Sequence, residues 1–240
     1  MKRLIWLLLL CCLPAQATIS FTQFAAHAGS GSSPYSLTVS STGSGHLLFV
    51  QGYYSAGSTE FITSVSGGGT WVIPSSCQQG YSAIGAANSC AYVLSSSSGT
   101  TSVSIGFSGT STTWAFAFYE VSTSLTGFSL DAIATSTYST SNTAPAGQAL
   151  TLTGSEDVII QQIQCDTSFP TSTYINESYN YEQVQSAQPF GSAYLLNTTT
   201  GTAPAWVWNA NSGGCAVGAA SFTDEPAVSG TGQVGVFVVQ

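Results

Sequence analysis

Apolar and polar residues alternate along most of the chain, and the alternation breaks every few residues at clusters of Gly, Ser, Thr, Asn and Pro. A period of two is the signature of a β-strand, whose successive side chains point to opposite faces. The pattern predicts strands at 19–25, 35–39, 46–54, 61–66, 70–73, 91–94, 102–107 and 113–121. It continues with 130–134, 149–152, 157–165, 182–186, 192–196, 205–208, 215–222 and 233–239. No segment carries a helical period with caps. Short strands separated by turn signals predict an all-β sandwich or barrel.

The run 113–121, Thr-Trp-Ala-Phe-Ala-Phe-Tyr-Glu-Val, is apolar on both sides. Trp114, Phe116, Phe118 and Glu120 share one face, and Ala115, Ala117, Tyr119 and Val121 share the other. A strand of this kind belongs inside a sheet. The odd member is Glu120, a carboxylate on the aromatic face. Burying it without a partner would favour its neutral form, unless main-chain N–H groups, hydroxyls or a metal hold it ionised. Its two readings are a strand-end carboxylate that ties down the turn at 121–126, and a catalytic or metal-binding group.

Residues 1–17 carry Lys2 and Arg3, an apolar run at 4–13, Pro14 and the ending Ala15-Gln16-Ala17. This is the layout of a secretory signal peptide cleaved after Ala17, which predicts a secreted or periplasmic protein. The run is about ten residues, against roughly 20 for a membrane span. Cys11 and Cys12 raise the alternative of a lipoprotein, but Leu10 stands where such signals carry Gly or Ala. Loss of Lys2 and Arg3 with the leader removes every Lys and Arg and takes the formal charge from −8 to −10. Such a chain repels phosphate, which excludes nucleic acids, nucleotides and anionic membrane surfaces as partners. Schiff-base chemistry and bidentate arginine clamps are excluded too. The remaining cations are His27, His46 and the new amino terminus.

About 220 residues are enough for one all-β domain with a sizeable core. The domain is read as 18–240, with 223–240 contributing a loop and an extra terminal strand. No linker or fixed-period repeat divides it. Four cysteines remain, Cys77, Cys90, Cys165 and Cys215, and three pairings are open to them. Cys77 with Cys90 and Cys165 with Cys215 is the favoured set, the first closing a local loop. The spacing does not match a zinc site.

The order of short motifs from Gly45 to Phe222 resembles a group of poorly characterised secreted bacterial domains rich in Ser, Thr and Gly. The stretches that carry it are Gly45-His46-Leu47-Leu48-Phe49-Val50, Trp71, Ala91-Tyr92, Ser102-Val103-Ser104-Ile105, Phe118-Tyr119-Glu120-Val121-Ser122, Leu130-Asp131-Ala132, Asp157-Val158-Ile159-Ile160 and Ala219-Ala220-Ser221-Phe222. The resemblance implies a two-sheet antiparallel β-sandwich of jelly-roll or lectin-like type and carries no activity to particular residues.

Trp206 and Trp208 lie two apart, on one face of a predicted strand, and with Tyr53 and Tyr54 they are the candidates for stacking on sugar rings. The competing reading places the tryptophans in the core. A glycoside hydrolase needs two carboxylates across a cleft, about 5–9 Å apart, and Glu120, Glu60 and Asp131 are the candidates. A serine hydrolase is disfavoured, because no G-x-S-x-G elbow is present and His46 reads as a surface or turn residue. Asn176-Glu177-Ser178 and Asn197-Thr198-Thr199 match the N-glycosylation pattern, which the bacterial source implied by the resemblance would make a chance match. No cofactor is expected. Calcium is the one candidate ion, through Glu156-Asp157 or Asp224-Glu225, although no loop has ordered D-x-D-x-D spacing. The functional expectation is a secreted binding or surface-structural domain for adhesion, matrix association or recognition of a neutral polysaccharide. A carbohydrate-active hydrolase is the alternative.

Overall fold

The structure is a computed structural model, which describes residues 18–54, 59–109, 113–125, 127–138, 146–154, 156–165, 179–183, 190–203, 205–206 and 214–224. Among them the chain forms thirteen strands. These are β1 (Ile19–Gly29), β2 (Tyr35–Thr38), β3 (Leu47–Tyr54), β4 (Ile62–Ser66), β5 (Gln79–Tyr81), β6 (Ala86–Val93) and β7 (Ser102–Phe107). The rest are β8 (Trp114–Thr123), β9 (Ser129–Tyr138), β10 (Asp157–Cys165), β11 (Asn180–Gln183), β12 (Phe190–Thr198) and β13 (Cys215–Thr223). Two single-turn 3-10 helices, Ser75–Cys77 and Ser82–Ile84, flank β5.

The strands make three antiparallel sheets rather than the expected two. The central sheet has the order β1-β8-β3-β6-β5, a second large sheet β11-β12-β10-β13-β9, and a small sheet β2-β7-β4. The apolar pattern of the central strands accounts for the third. In β8, Ala115, Ala117, Tyr119 and Val121 pack with Val158, Ile160, Phe190 and Phe222 of the second sheet. The alternate residues Trp114, Phe116 and Phe118 pack with Leu37, Val103, Ile105 and Phe107 of the small sheet. A sheet that is apolar on both faces must be covered twice, and at about 25 cal/mol per Å² each buried aromatic ring contributes roughly 2–3 kcal/mol. The assignment of residues to the two faces of 113–121 is the one read from the alternation.

The second sheet is also covered on its outer side. There Ile159, Ile163, Val217 and Ala219 pack with Leu150, Tyr179 and Trp206. Two predicted strands serve as this cover instead of joining a ladder. Residues 149–152 belong to no ladder, with the Leu150 N–H bonded to the Gly201 carbonyl at 2.9 Å, and Ala205 makes an isolated bridge to Ala146. Gln161 holds the cover in place, since its amide donates to the Gln148 carbonyl at 2.8 Å and accepts from the Gln148 N–H at 2.9 Å. Predicted strand 70–73 is likewise a single bridge, Val72 to Tyr92. It follows Gly67, Gly68 and Gly69, all at positive φ (95°, 84° and 150°), a turn that any Cβ would strain. The predicted strand at 233–239 lies outside the described residues, as do residues 1–17.

Both expected disulfides are present. Cys77–Cys90 ties the first 3-10 turn to β6, and Cys165–Cys215 joins directly opposed residues of β10 and β13. By loop entropy they restrict the unfolded chain by roughly 3 and 4 kcal/mol respectively. Among the described residues no helix is long and apolar enough to cross a membrane.

Candidate functional site

Glu120 lies near the end of β8, between Gln23 of β1 and Leu48 of β3, and is fully buried at 0% exposure. Its carboxylate is not unpartnered. Oε1 accepts from the Gly43 N–H at 2.7 Å and meets His46 Nδ1 at 2.5 Å, and Oε2 accepts from the Gln23 amide. With the hydrogen placed on Nδ1, the carboxylate has three donors. His46 is the basic side-chain partner of this carboxylate in a chain with no Lys or Arg after residue 3. The imidazole can sit there because position 43 is glycine, where an added Cβ would stand 2.1 Å from the ring.

The surrounding loops are built to hold this contact. Gln23 lies just past a register shift in β1, and its side chain also binds the Ser40 main chain, N–H at 2.8 Å and carbonyl at 3.0 Å. Ser96 donates to the Gly43 carbonyl at 2.6 Å and accepts from the His46 N–H at 3.0 Å. Thr42 binds the main chain of Ser97, Thr100 and Gly99. Glu120 thus joins two loops, 39–46 and 95–101, to the sheet. The expected tie to the turn at 121–126 is corrected: the carboxylate fastens the loop before β3, because its face of β8 points that way. His46 is correspondingly more than a turn residue. The sequence narrows the choice to two imidazoles, His27 and His46, without pairing either with Glu120.

The other carboxylates stand elsewhere. Glu60 lies against Gly109, past the end of β7 remote from Glu120. Six strand residues and their flanks separate those ends, a distance of about 20 Å. Asp131 is on β9, at the edge of the second sheet, and accepts from the N–H of Thr153 at 2.9 Å and from its hydroxyl. The three do not line a common cleft. Among the described residues, His46 Nε2 has no hydroxyl partner, so the Glu–His pair is not extended to a nucleophile.

The aromatic platform expected on the surface is corrected as well. Trp206 is 0% exposed and Tyr53 4%. Trp206 seals the outer face of the second sheet, and Tyr53 packs beside Phe190 between the two large sheets. A sheet with a buried outer face needs a large flat cover, and Trp206 supplies it. Trp208 and the side chain of Tyr54 lie outside the described residues.

Asp157 is buried at the start of β10, and Asp224 is buried and accepts from the Thr123 hydroxyl at 3.0 Å. Glu225 lies outside the described residues, and among those described no three His, Cys, Asp or Glu side chains form a metal-holding group. The Asn197 amide is occupied by the main chain of Ile19, accepting at 2.8 Å and donating at 3.0 Å. Asn176 lies outside the described residues. Burial pushes the Tyr179 phenol up to about 12, partly offset by its bond from Gln161, and raises that of Tyr92.

One concave site was not predicted. A cavity of about 300 Å³ opens between the edge strands β1 and β2, lined by Ala26, His27, Ser36, Leu37 and Thr38. Nothing in the alternation marked it, because it arises where edges of two different sheets face each other. No family model, curated protein or solved structure matches the chain.

Proposed function

We propose that the chain is a secreted, non-catalytic β-module that binds or builds an extracellular surface, with neutral glycans as its ligand class. The observation that carries this reading is where charge sits. Residues 18–240 have no Lys or Arg, and among the described residues Glu120, Asp157 and Asp224 are buried while Glu60, Asp131 and Glu156 are half-buried, so that the described surface is mostly hydroxyls, amides and main chain. Such a surface suits uncharged polyols and has nothing to offer phosphate or sulfate. The leader-like residues 1–17 and the two disulfides support export. In this reading the central and second sheets, which share an aromatic core, are the two leaves of a jelly-roll-like sandwich, and the small sheet is added to one leaf. Hydrolysis of glycosides requires two carboxylates about 5–9 Å apart on one cleft. The separation of Glu60, Glu120 and Asp131 favours binding over that chemistry.

A glycan array probed with the protein lacking residues 1–17, with and without calcium, tests the proposal. Retention of neutral polysaccharides, insensitive to salt and chelator, is expected. Retention of anionic glycans alone, or release of new reducing ends from a bound polysaccharide, would overturn it.

A further inference from the structure

We infer that the slot between β1 and β2 is the glycan-binding site, taking one or two uncharged sugar units. The inference rests on the neutral-glycan reading above and gives it a location. The walls of the slot are two strand edges that join no further strand among the described residues. β1 is the outer strand of the central sheet and β2 the outer strand of the small sheet. Among the described residues no main-chain bond joins them.

In an antiparallel ladder, residues alternately direct both main-chain groups toward the partner strand and away from it. The Val39 N–H bonds the Thr101 carbonyl at 3.0 Å, and Thr38 pairs with Ser102 and Ser36 with Ser104. Ser36 and Thr38 therefore turn their N–H and C=O groups away from β7, to the free edge. On the other wall, the Ser124 N–H bonds the Thr18 carbonyl at 3.2 Å. Counting along β8 from there, Phe118 and Phe116 direct their bonds to Ala25 and His27, which leaves the main chain of Ala26 facing outward. The slot thus presents main-chain donors and acceptors from both sides, the hydroxyl of Thr38, that of Ser36, which also bonds the Ser102 hydroxyl at 2.7 Å, and the exposed His27 imidazole, which is backed by Trp114 at 5.1 Å. No carboxylate, lysine or arginine lines it.

The ends decide what kind of ligand fits. At one end the Gln23 side chain bonds both main-chain groups of Ser40, bridging the two edges as a strand residue would. At the other the chain turns through 30–34, where the Tyr35 hydroxyl donates to the Gly31 carbonyl at 2.5 Å. An extended peptide adding to either edge would run into these closures. A compact ring bearing hydroxyls fits between them, and the volume lies at the small end for ligand sites.

The test is calorimetric titration of the protein with neutral glucose, xylose and mannose hexasaccharides, beside an uncharged extended peptide. The variants are Thr38→Trp, which fills the slot, His27→Ala, which removes its imidazole, and Thr151→Ala as an exposed control. All three positions are exposed, and unfolding curves confirm folding in each. Binding of at least one hexasaccharide, weakened on the order of tenfold or more by Thr38→Trp and by His27→Ala but not by the control, is the expected result. Equal binding by wild type and both slot variants would overturn the location and leave the glycan reading intact. No hexasaccharide binding to wild type would overturn both. Peptide binding that Thr38→Trp abolishes would replace the sugar with a strand.

Discussion

The two faces of the central sheet are buried by different means. Toward the small sheet the contact is almost wholly hydrocarbon: Leu48, Val50, Trp114, Phe116, Phe118, Val103, Ile105 and Phe107 pack together, with Phe107 and Phe116 5.0 Å apart and Trp114 and Phe116 5.1 Å apart. Its one carboxylate, Glu120, is gathered at the rim with its three donors. Toward the second sheet, polar groups run through the middle. Gln51 donates to Ser192 and, at 3.2 Å, to the Gln161 carbonyl, Tyr119 bonds Ser192, and Asn88 donates to the Ala216 carbonyl at 3.0 Å. Both disulfides also belong to the second sheet's side, Cys77–Cys90 in the shared core and Cys165–Cys215 under the outer cover. The contrast teaches that one sheet can be held mainly by close packing on one side, where a single buried bond from the Ile62 N–H to the Ser89 hydroxyl crosses at 2.9 Å, and on the other by several hydrogen bonds that fix which groups oppose each other, since an apolar face tolerates a shift that a paired amide does not.

Four experiments probe that contrast. The largest loss is expected in the dry core, where Phe116→Ala should cost about 3–5 kcal/mol, read as a lower urea midpoint. Gly52 opposite Phe116 carries no side chain to refill the space, as its Cβ would lie 2.7 Å from the ring. A loss under about 1 kcal/mol would mean that this core collapses readily around the gap.

At the rim, His46→Ala should destabilise by about 2 kcal/mol, because the Glu120 carboxylate stays buried with one donor fewer. Gly43→Ala should give a loss of the same kind by pushing the imidazole aside, and should add little in a chain already carrying His46→Ala. Full additivity of the two in denaturant titrations would break the link drawn between them.

Under the outer cover, Tyr179 supplies a pH test. Its phenol has a folded-state pKa of about 12 against an ordinary 10.0. A raised value means that the folded state keeps its proton longer, so the linked stability is full below pH 10 and is lost as pH rises through about 12. The loss is at most on the order of 2 kcal/mol, and Tyr179→Phe should remove that part of the alkaline slope. An unchanged slope in Tyr179→Phe would assign the alkaline loss to other groups.

The smallest effect is expected inside the wet interface. A double-mutant cycle of Tyr119→Phe and Ser192→Ala should return a coupling of about 1 kcal/mol, whereas Phe118→Leu paired with Ser192→Ala, across the sheet, should return none. Coupling in the second cycle and not the first would invert the comparison.

Much of this architecture was legible in the residues themselves. The alternation in 113–121 assigned the side chains of β8 from Trp114 to Val121 to their faces, the extents of β7 and β10 match the predicted 102–107 and 157–165, and both cystine pairs are the favoured ones. The candidate site was legible in part. Glu120 stood out because it breaks an apolar pattern. Its partners did not, since Gln23, Gly43 and His46 lie 97, 77 and 74 residues away in the chain.

Local periodicity and composition settle which residues share a face and which groups are absent, because the strand pleat is a property of neighbouring residues and a missing cation is missing wherever the chain goes. They leave open what lies across the face. That Trp206 and Tyr53 are covers and not platforms, that three sheets stack and not two, that an imidazole meets Glu120, and that two edges leave a slot at Ala26 and Thr38 are all consequences of strand order. Strand order is a choice among long-range pairings, made by the whole set of apolar faces at once, and no single stretch carries it.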